Sequence, residues 1–162
     1  MDSINAPQFL EHISQSLTYT PFEFKWIPCS PRFIIVGQTP KAKGIIQIYK
    51  MKEGKIENTH EWIQGNGYKC ATFGASSITN RELAIGDFDG NLTLLDIETG
   101  RPSFHVKAHK SIINTIDGIG GSGNIGPAEI LTGSRDGKIF IKELQSFGIQ
   151  ELTSLLFHLN HQ

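Results

Sequence analysis

The stretch that decides the fold runs from residue 108 to residue 143 and reads AHKSIINTIDGIGGSGNIGPAEILTGSRDGKIFIKE. Two apolar segments, Ile112–Ile116 and Ile130–Leu131, are separated by a glycine-rich gap, and Asp136-Gly137 leads into a third, alternating run. Asp-Gly between two such runs is a strong β-hairpin signal, because a type I′ turn needs positive φ at both central positions. The stretch therefore predicts an antiparallel meander of strand, long loop, strand, tight turn and strand.

The same pattern occurs 47 residues earlier in the chain. Residues 83–96 read LAIGDFDGNLTLLD and residues 130–143 read ILTGSRDGKIFIKE, which aligns the hairpin turn Asp89-Gly90 with the turn Asp136-Gly137. A weaker copy with a longer turn lies at residues 33–49. Helical repeats would need apolar spacings of three and four, which are missing here. Three copies near this period predict a repeat whose unit is a four-stranded propeller blade.

These patterns predict an all-β protein, an incomplete β-propeller at residues 21–143 between a lead-in at 1–20 and a divergent tail at 144–162. Its first strand is predicted to be half-buried, since Phe22, Phe24 and Trp26 alternate with charged residues. The predicted blades, each an antiparallel four-stranded sheet, span about 21–65, 66–107 and 108–143, and no fourth strand is identified in the last. In the tail, an amphipathic helix is predicted from the spacing of Leu152, Leu155, Leu156 and Leu159.

Bulk composition narrows the classes of function. The 162 residues include 15 basic and 16 acidic side chains, with no basic stripe, so nucleic acid is not a favoured partner. The N-terminus shows no positive region followed by an apolar core, which predicts no signal peptide. Cys29 and Cys70 stand 41 residues apart without a CxxC pair. Two free thiols in a reducing compartment are expected, and with them a cytoplasmic location.

Several chemical signals have simpler structural interpretations. Residues 118–123 match GxGxxG, but a strand rather than a helix is predicted to follow, which favours a flexible connection over a nucleotide site. Asp87-Phe88-Asp89-Gly90 resembles part of a calcium loop, and a hairpin turn is favoured. None of the six histidines forms an HxxxH pair, and His158 and His161 have no further ligand nearby. Ser134 is not in a GxSxG elbow. No metal or cofactor is therefore expected.

His109, Thr132 and Asp136 form the set with the clearest predicted role. In a meander, a histidine before the inner strand, a hydroxyl on the second strand and a carboxylate in the following turn can meet. The carboxylate can fix the imidazole tautomer while the hydroxyl completes a buried polar chain. A structural network that holds the blade together is favoured over a catalytic triad, although an enzyme that uses His109 and Asp136 stays open as the alternative.

These residues resemble the WD-repeat propellers. Ala108-His109 stands where that family has Gly-His, and Asp136-Gly137 stands for its turn residues. The position of the usual Trp-Asp pair is assigned to Leu95-Asp96 and Lys142-Glu143. Within the family, the resemblance is greatest to the N-terminal part of the WD-repeat axonemal dynein assembly factors. It rests on FKWIPCS (24–30), YKCATFGASS (68–77), GDFDGNL (86–92) and HKSIINTIDGIGG (109–121).

That resemblance implies a cytoplasmic adaptor or scaffold without catalytic activity, built as a seven-bladed ring. It implies protein partners, namely prefoldin-like and AAA-ATPase-linked co-chaperone components and dynein chains, in the preassembly of axonemal dynein arms, and a connection with apoptosis. A scaffold of messenger-RNA export or of the spindle checkpoint, and a truncated product without function, are the alternatives. Fewer than seven blades leave faces and edges uncovered. The partner-binding surface is not assigned, and whether the tail caps the third blade stays open.

Overall fold

A computed structural model describes residues 10–78, 81–121 and 126–144, and within these ranges the chain forms eleven β-strands and no helix. The strands are β1 (Thr20–Trp26), β2 (Arg32–Gln38), β3 (Gly44–Lys52), β4 (Lys55–Gln64), β5 (Tyr68–Thr72), β6 (Glu82–Asp87), β7 (Asn91–Asp96), β8 (Arg101–Lys107), β9 (Ile113–Ile119), β10 (Ala128–Ser134) and β11 (Ile139–Leu144). The all-β prediction is confirmed, whereas the helix predicted in the tail lies outside the described residues.

The strands form three antiparallel sheets, each a meander in chain order. Sheet one contains β1 to β4, sheet two contains β5 to β8, and sheet three contains β9 to β11. This arrangement is consistent with a partial propeller, in which each sheet is one blade. Residues 10–17 of the lead-in form neither a strand nor a helix. No helix in the described ranges is long and apolar enough to cross a membrane.

Two apolar cores hold the sheets face to face. The first joins Ile34, Val36, Ile46 and Ile48 of sheet one to Leu83, Ile85 and Leu95 of sheet two. The second joins Cys70, Ala84, Leu92 and Leu94 of sheet two to Ile113, Ile116 and Ile130 of sheet three. Full burial of one such aliphatic side chain contributes about 1.5–3 kcal/mol, so each sheet depends on its neighbours for stability.

The two Asp-Gly turns differ from the expected type I′ geometry. Gly90 and Gly137 have φ of +87° and +78°, but the aspartate before each has no positive φ. The amide of Gly90 donates to the carbonyl of Asp87, and the amide of Gly137 donates to that of Ser134. A turn of this kind followed by a left-handed glycine is the three-residue hairpin form. The type I′ expectation is therefore wrong, although β6–β7 and β10–β11 pair on either side of these turns.

The first strand departs from its predicted pattern. A bulge between Pro21 and Glu23 turns the Phe22 ring towards sheet two, where it meets the Phe88 ring at a centroid distance of 5.3 Å. Phe24 and Trp26 lie on the opposite face and are 54% and 61% exposed. The prediction that all three share one half-buried face is wrong, because a bulge shifts the alternation of the strand by one residue.

Candidate functional site

The structure brings His109, Thr132 and Asp136 together between sheets two and three. His109 Nε2 lies 2.9 Å from the hydroxyl of Thr132, and Nδ1 lies 3.3 Å from both carboxylate oxygens of Asp136. Both His109 and Thr132 are buried. A neutral imidazole that donates from Nδ1 to Asp136 and accepts at Nε2 from Thr132 satisfies all three groups.

Neighbouring elements fix both ends of this network. The amides of Ala108 and His109 donate to the carbonyl of Gly90 at 3.0 and 2.9 Å, so the β6–β7 turn of sheet two holds the histidine. A Cβ at Gly90 would lie 2.5 Å from the carbonyl oxygen of His109, which requires glycine there. At the other end, Asp136 accepts from the amides of Lys110 and Lys138 at 2.9 and 3.0 Å. The network therefore joins two sheets.

Phe140 is a fourth member that sequence reasoning did not identify. Its ring centroid lies 4.5 Å from that of His109, at an interplanar angle of 40°. Phe140 is directly opposite Thr132 in the β10–β11 register, which places it on the same face as the hydroxyl. Its position between Ile139 and Ile141 was the available signal, because alternate residues of a strand point to opposite faces. Phe140 thus shields one side of the imidazole.

The electrostatics favour a neutral histidine beside a charged carboxylate. Burial lowers the pKa of His109, and the nearby Asp136 carboxylate only partly offsets this. Burial by itself raises the pKa of Asp136, but the hydrogen bonds from the amides of Lys110 and Lys138, together with the contributions of His109 and Ser134, outweigh it, so the net pKa is lowered. Since the imidazole and the Thr132 hydroxyl are both buried, neither atom of a would-be catalytic pair is presented to solvent. The geometry fits a structural network better than a triad.

Stability should therefore fall as the pH drops below about 6.5, the ordinary pKa of histidine. The imidazole of the unfolded chain takes up a proton near that pH, whereas the buried imidazole resists it, so acid favours the unfolded state. Urea unfolding at pH 7.5, 6.5 and 5.5 measures this dependence. His109→Gln should lower the free energy of unfolding by about 1–3 kcal/mol at pH 7.5. It should also reduce the change of this free energy between pH 7.5 and pH 5.5. An unchanged profile in the variant would contradict the assignment.

The residues of sheet two that correspond to Thr132 and Asp136 of sheet three make different contacts. Ile85 occupies the position that Thr132 has in sheet three, so no hydroxyl is present there. The Asn66 side chain, rather than a histidine, donates a hydrogen bond to the carboxylate of Asp89. The buried carboxylate of Asp87 accepts from the amides of Asp89 and Asn91 at 2.9 and 2.7 Å and so stabilises its own turn. The calcium-like sequence therefore serves as a hairpin turn.

A second polar network, which sequence reasoning missed, lies on sheet one. The hydroxyls of Tyr19 and Tyr49 donate to Gln47 Oε1 at 2.8 and 2.7 Å, and Gln47 Nε2 donates to Glu61. Burial raises the pKa of both tyrosines. Through Tyr19, the network attaches the lead-in to the face of sheet one that points away from sheet two. Gln47 gave no signal because it stands within the apolar run GIIQIY.

The segment after β5, which contains Gly74, packs backbone to backbone against the end of β9, which contains Gly118, and the following Gly121. The amide of Gly121 donates to the carbonyl of Gly74 at 3.3 Å, and a Cβ at Gly74 would lie 1.9 Å from the oxygen of Gly118. Gly118 belongs to β9 itself. The connection expected from the GxGxxG match is therefore wrong for residues 118 and 119, which belong to β9, whereas residues 120 and 121 do lie between β9 and β10. Residues 122 and 123 lie outside the described ranges. The next strand, β10, begins at Ala128.

No group of three or more histidine, cysteine, aspartate or glutamate side chains in the described part of the chain is close enough to hold a metal ion. His158 and His161 lie outside that part. The two thiols have different surroundings. Cys29 is exposed between β1 and β2, while Cys70 is buried and its sulphur lies 3.4 Å from the carbonyl oxygen of Ile113. Burial raises the pKa of Cys70 to about 12.

One thiol per chain should therefore react with Ellman's reagent in the native protein, and two should react in concentrated urea. A thiolate is the reactive species, so a buried thiol with a raised pKa stays inert until the sheets separate. Cys29→Ser is the matched control and should remove the native reaction entirely. Two reactive thiols in the native wild-type protein would contradict the packing of Cys70 between sheets two and three.

The chain is similar to curated proteins named Dynein axonemal assembly factor 10. It is 45% identical to the one from Bos taurus over 141 residues, 86% of this chain and 40% of the relative. It is 48% identical to the one from Danio rerio over 122 residues, 75% of this chain and 34% of the relative. For Chlamydomonas reinhardtii the identity is 38% over 147 residues, 90% of this chain and 41% of the relative. The chain thus spans about two fifths of these relatives. No protein-family model matches it.

Proposed function

We propose that this chain is a WD-repeat scaffold that binds proteins during the cytoplasmic preassembly of axonemal dynein arms and has no catalytic activity of its own. The observation that carries the proposal is the 38–48% identity, over most of the chain, to proteins named Dynein axonemal assembly factor 10. The names of these relatives state a role in dynein assembly. The chain spans only part of each relative, so its partners are part of the proposal.

The geometry supports a scaffold over an enzyme. The polar side-chain atoms of His109, Thr132 and Asp136 all make hydrogen bonds within the fold, with partners in neighbouring strands or turns. Gly90, Gly74 and Gly118 serve close contacts between sheets. Sites for binding other proteins on such a framework lie on its loops and uncovered faces. We propose prefoldin-like and AAA-ATPase-linked co-chaperone components and dynein chains as the partners.

Affinity capture from the cytoplasm of ciliating cells tests the proposal. Tagged full-length chain should retain dynein heavy chains and the AAA ATPase on immunoblots, and should retain neither nucleoporins nor kinetochore proteins. Nucleoporins or kinetochore proteins in place of dynein would favour scaffolds of messenger-RNA export or of the spindle checkpoint. Capture of none of these proteins would also overturn the proposal.

Thr132→Val tests whether the buried hydroxyl has a structural role alone. Valine keeps the shape of threonine but removes the hydroxyl, so at a temperature well below unfolding the sheets should remain paired and dynein capture should persist. Circular dichroism checks that the variant is folded. Loss of capture in a folded Thr132→Val protein would contradict a purely structural role for this hydroxyl.

A further inference from the structure

Five connections between strands lie along one edge of the three sheets, which we call the loop edge. They follow β2, β4, β6, β8 and β10, and are residues 39–43, 65–67, 88–90, 108–112 and 135–138. A Cβ at Gly44, directly after the first connection, would lie 2.4 Å from the carbonyl oxygen of Asn66 in the second. Hydrogen bonds continue the series, from the amides of Phe88, His109 and Arg135 to the carbonyls of Gly67, Gly90 and Ile112. The loop edge is therefore one continuous surface.

The loop edge has a local excess of positive charge. Its connections contain two acidic residues and five basic ones, namely Lys41, Lys43, Lys110, Arg135 and Lys138. All five basic residues are exposed. At the opposite edge, the connections contain one basic and two acidic residues, as far as the structure describes them. The sequence shows no basic stripe because the five basic residues are far apart along the chain.

These positive charges are not neutralised within the fold. None of the five basic side chains forms an ion pair with a described residue, since the basic partners in such pairs are Lys25, Arg32, Arg81 and His109. Of the two acidic residues, Asp136 has a side chain that is only 9% exposed. Asp89 is exposed, and its carboxylate accepts from the Asn66 side chain. The loop edge can therefore attract an anionic group.

Backbone hydrogen bonds hold three of the five basic residues in place. The carboxylate of Asp136 accepts from the amides of Lys110 and Lys138, which belong to different connections, at 2.9 and 3.0 Å. The amide of Arg135 donates to the carbonyl of Ile112 at 3.0 Å. Because these contacts use the backbone, they fix where each long side chain starts. A surface ordered in advance loses less conformational entropy on binding.

We propose that the loop edge is a docking surface for an acidic segment of a partner protein, with Lys110, Arg135 and Lys138 at its centre. The inference deepens the proposed function and rests on it for the role of the partner. Aspartate and glutamate side chains of the segment complement the unpaired positive charges, which speeds association and disfavours partners of the wrong charge. Loops on a rigid framework are a common place for such a site.

A protein segment fits the loop edge better than a nucleic acid does. Surfaces that bind single strands combine positive charge with aromatic side chains on which the bases stack. Among the described residues, the exposed phenylalanine, tyrosine and tryptophan residues are Phe24 and Trp26, which lie on β1 outside the loop edge. The formal charge of the whole chain is -1, so a long polyanion gains no attraction beyond the local surface.

Fluorescence anisotropy with a labelled oligo-glutamate peptide tests the surface. Combining Lys110→Gln, Arg135→Gln and Lys138→Gln in the full chain should lower the affinity for the peptide at least about tenfold. Glutamine keeps the backbone amides that bind Asp136 and Ile112, so the midpoint of urea unfolding should match that of wild type. Added salt should weaken wild-type binding, because exposed charges are screened. A wild-type chain that does not bind the peptide at about 1 mM would overturn the proposal.

A second triple variant is the matched control. Lys50→Gln, Lys52→Gln and Lys55→Gln remove the same net charge from exposed residues beside the β3–β4 turn, at the opposite edge. The affinity of this variant for the peptide should stay within about twofold of wild type, since distant exposed charges are screened. Equal losses in the two triple variants would show that the peptide responds to net charge alone, which would overturn the proposal.

Single-stranded RNA and vesicles that contain phosphatidylserine are the alternative ligands. If either binds wild type more tightly than the peptide does, and loses affinity in the Lys110 triple variant, the loop edge is a nucleic-acid or membrane surface and the proposal is wrong.

Affinity capture separates this inference from the proposed function. Wild type and the Lys50 triple variant should retain dynein heavy chains and the AAA ATPase on immunoblots, whereas the Lys110 triple variant should lose one or both. Equal retention by all three proteins would overturn the docking surface and leave the proposed function intact. If wild type retains neither partner, the proposed function fails, while peptide binding that is lost only in the Lys110 triple variant still supports the docking surface.

Discussion

Replacing Gly74 with alanine is expected to lower the free energy of unfolding by about 3 kcal/mol. The added Cβ would lie 1.9 Å from the carbonyl oxygen of Gly118 and 2.4 Å from its carbonyl carbon. Both are backbone atoms of β9, so no side-chain rotation relieves the overlap. The inner strands of sheets two and three must then separate, which also weakens the hydrogen bond from Gly121 to Gly74. Urea unfolding followed by tryptophan fluorescence measures the change.

Gly133→Ala is the matched control for this prediction. Gly133 lies in β10, on the face of sheet three that points away from sheet two, and a Cβ there would meet only the Cγ2 of Thr115, at 2.9 Å. That methyl group can move by rotation of an exposed side chain. The change in the free energy of unfolding should stay within about 0.5 kcal/mol. Equal losses for Gly74→Ala and Gly133→Ala would show that the inner strands are not in close backbone contact.

The sheets could be predicted from the sequence because their signals are local. Alternation of apolar residues and the pairs Asp89-Gly90 and Asp136-Gly137 each involve neighbours within one hairpin. The recurrence of the pattern then gave the number of sheets. His109, Thr132 and Asp136 were predicted as a set because the meander brings an inner strand, a second strand and a turn together, whatever packs around them.

The coverage of each face could not be predicted, because it depends on distant parts of the chain. Leu92 and Ile139 occupy equivalent positions in the repeat, yet one is buried and the other exposed, since only the first has a following sheet in the described residues. Gln47 is a polar residue within an apolar run, and its role depends on Tyr19, 28 residues away, which donates a hydrogen bond to it. Phe22 changes face because of a bulge in the backbone register, which composition does not encode.

Asp136→Ala is expected to lower the free energy of unfolding by about 2–4 kcal/mol at pH 7.5. The carboxylate accepts from the amides of Lys110 and Lys138 and lies 3.3 Å from Nδ1 of the buried His109. Alanine leaves that imidazole without an acceptor in an apolar setting, beside Phe140. An unmatched buried donor costs more than the hydrogen bond itself contributes, so the loss should exceed that of an exposed turn residue. Urea unfolding measures the difference.

Asp89→Ala provides the comparison, because Asp89 occupies the same turn position in sheet two but is exposed. Its carboxylate accepts from the Asn66 side chain, and both groups can be hydrated when that contact is lost. The loss in the free energy of unfolding for Asp89→Ala should stay within about 0.5 kcal/mol. Asp136→Asn should fall between the two alanine variants, since Oδ1 still accepts from an amide while the negative charge is removed. If Asp89→Ala and Asp136→Ala cost the same, the carboxylate of Asp136 serves the turn alone, and the link from sheet three through His109 to Gly90 of sheet two contributes nothing.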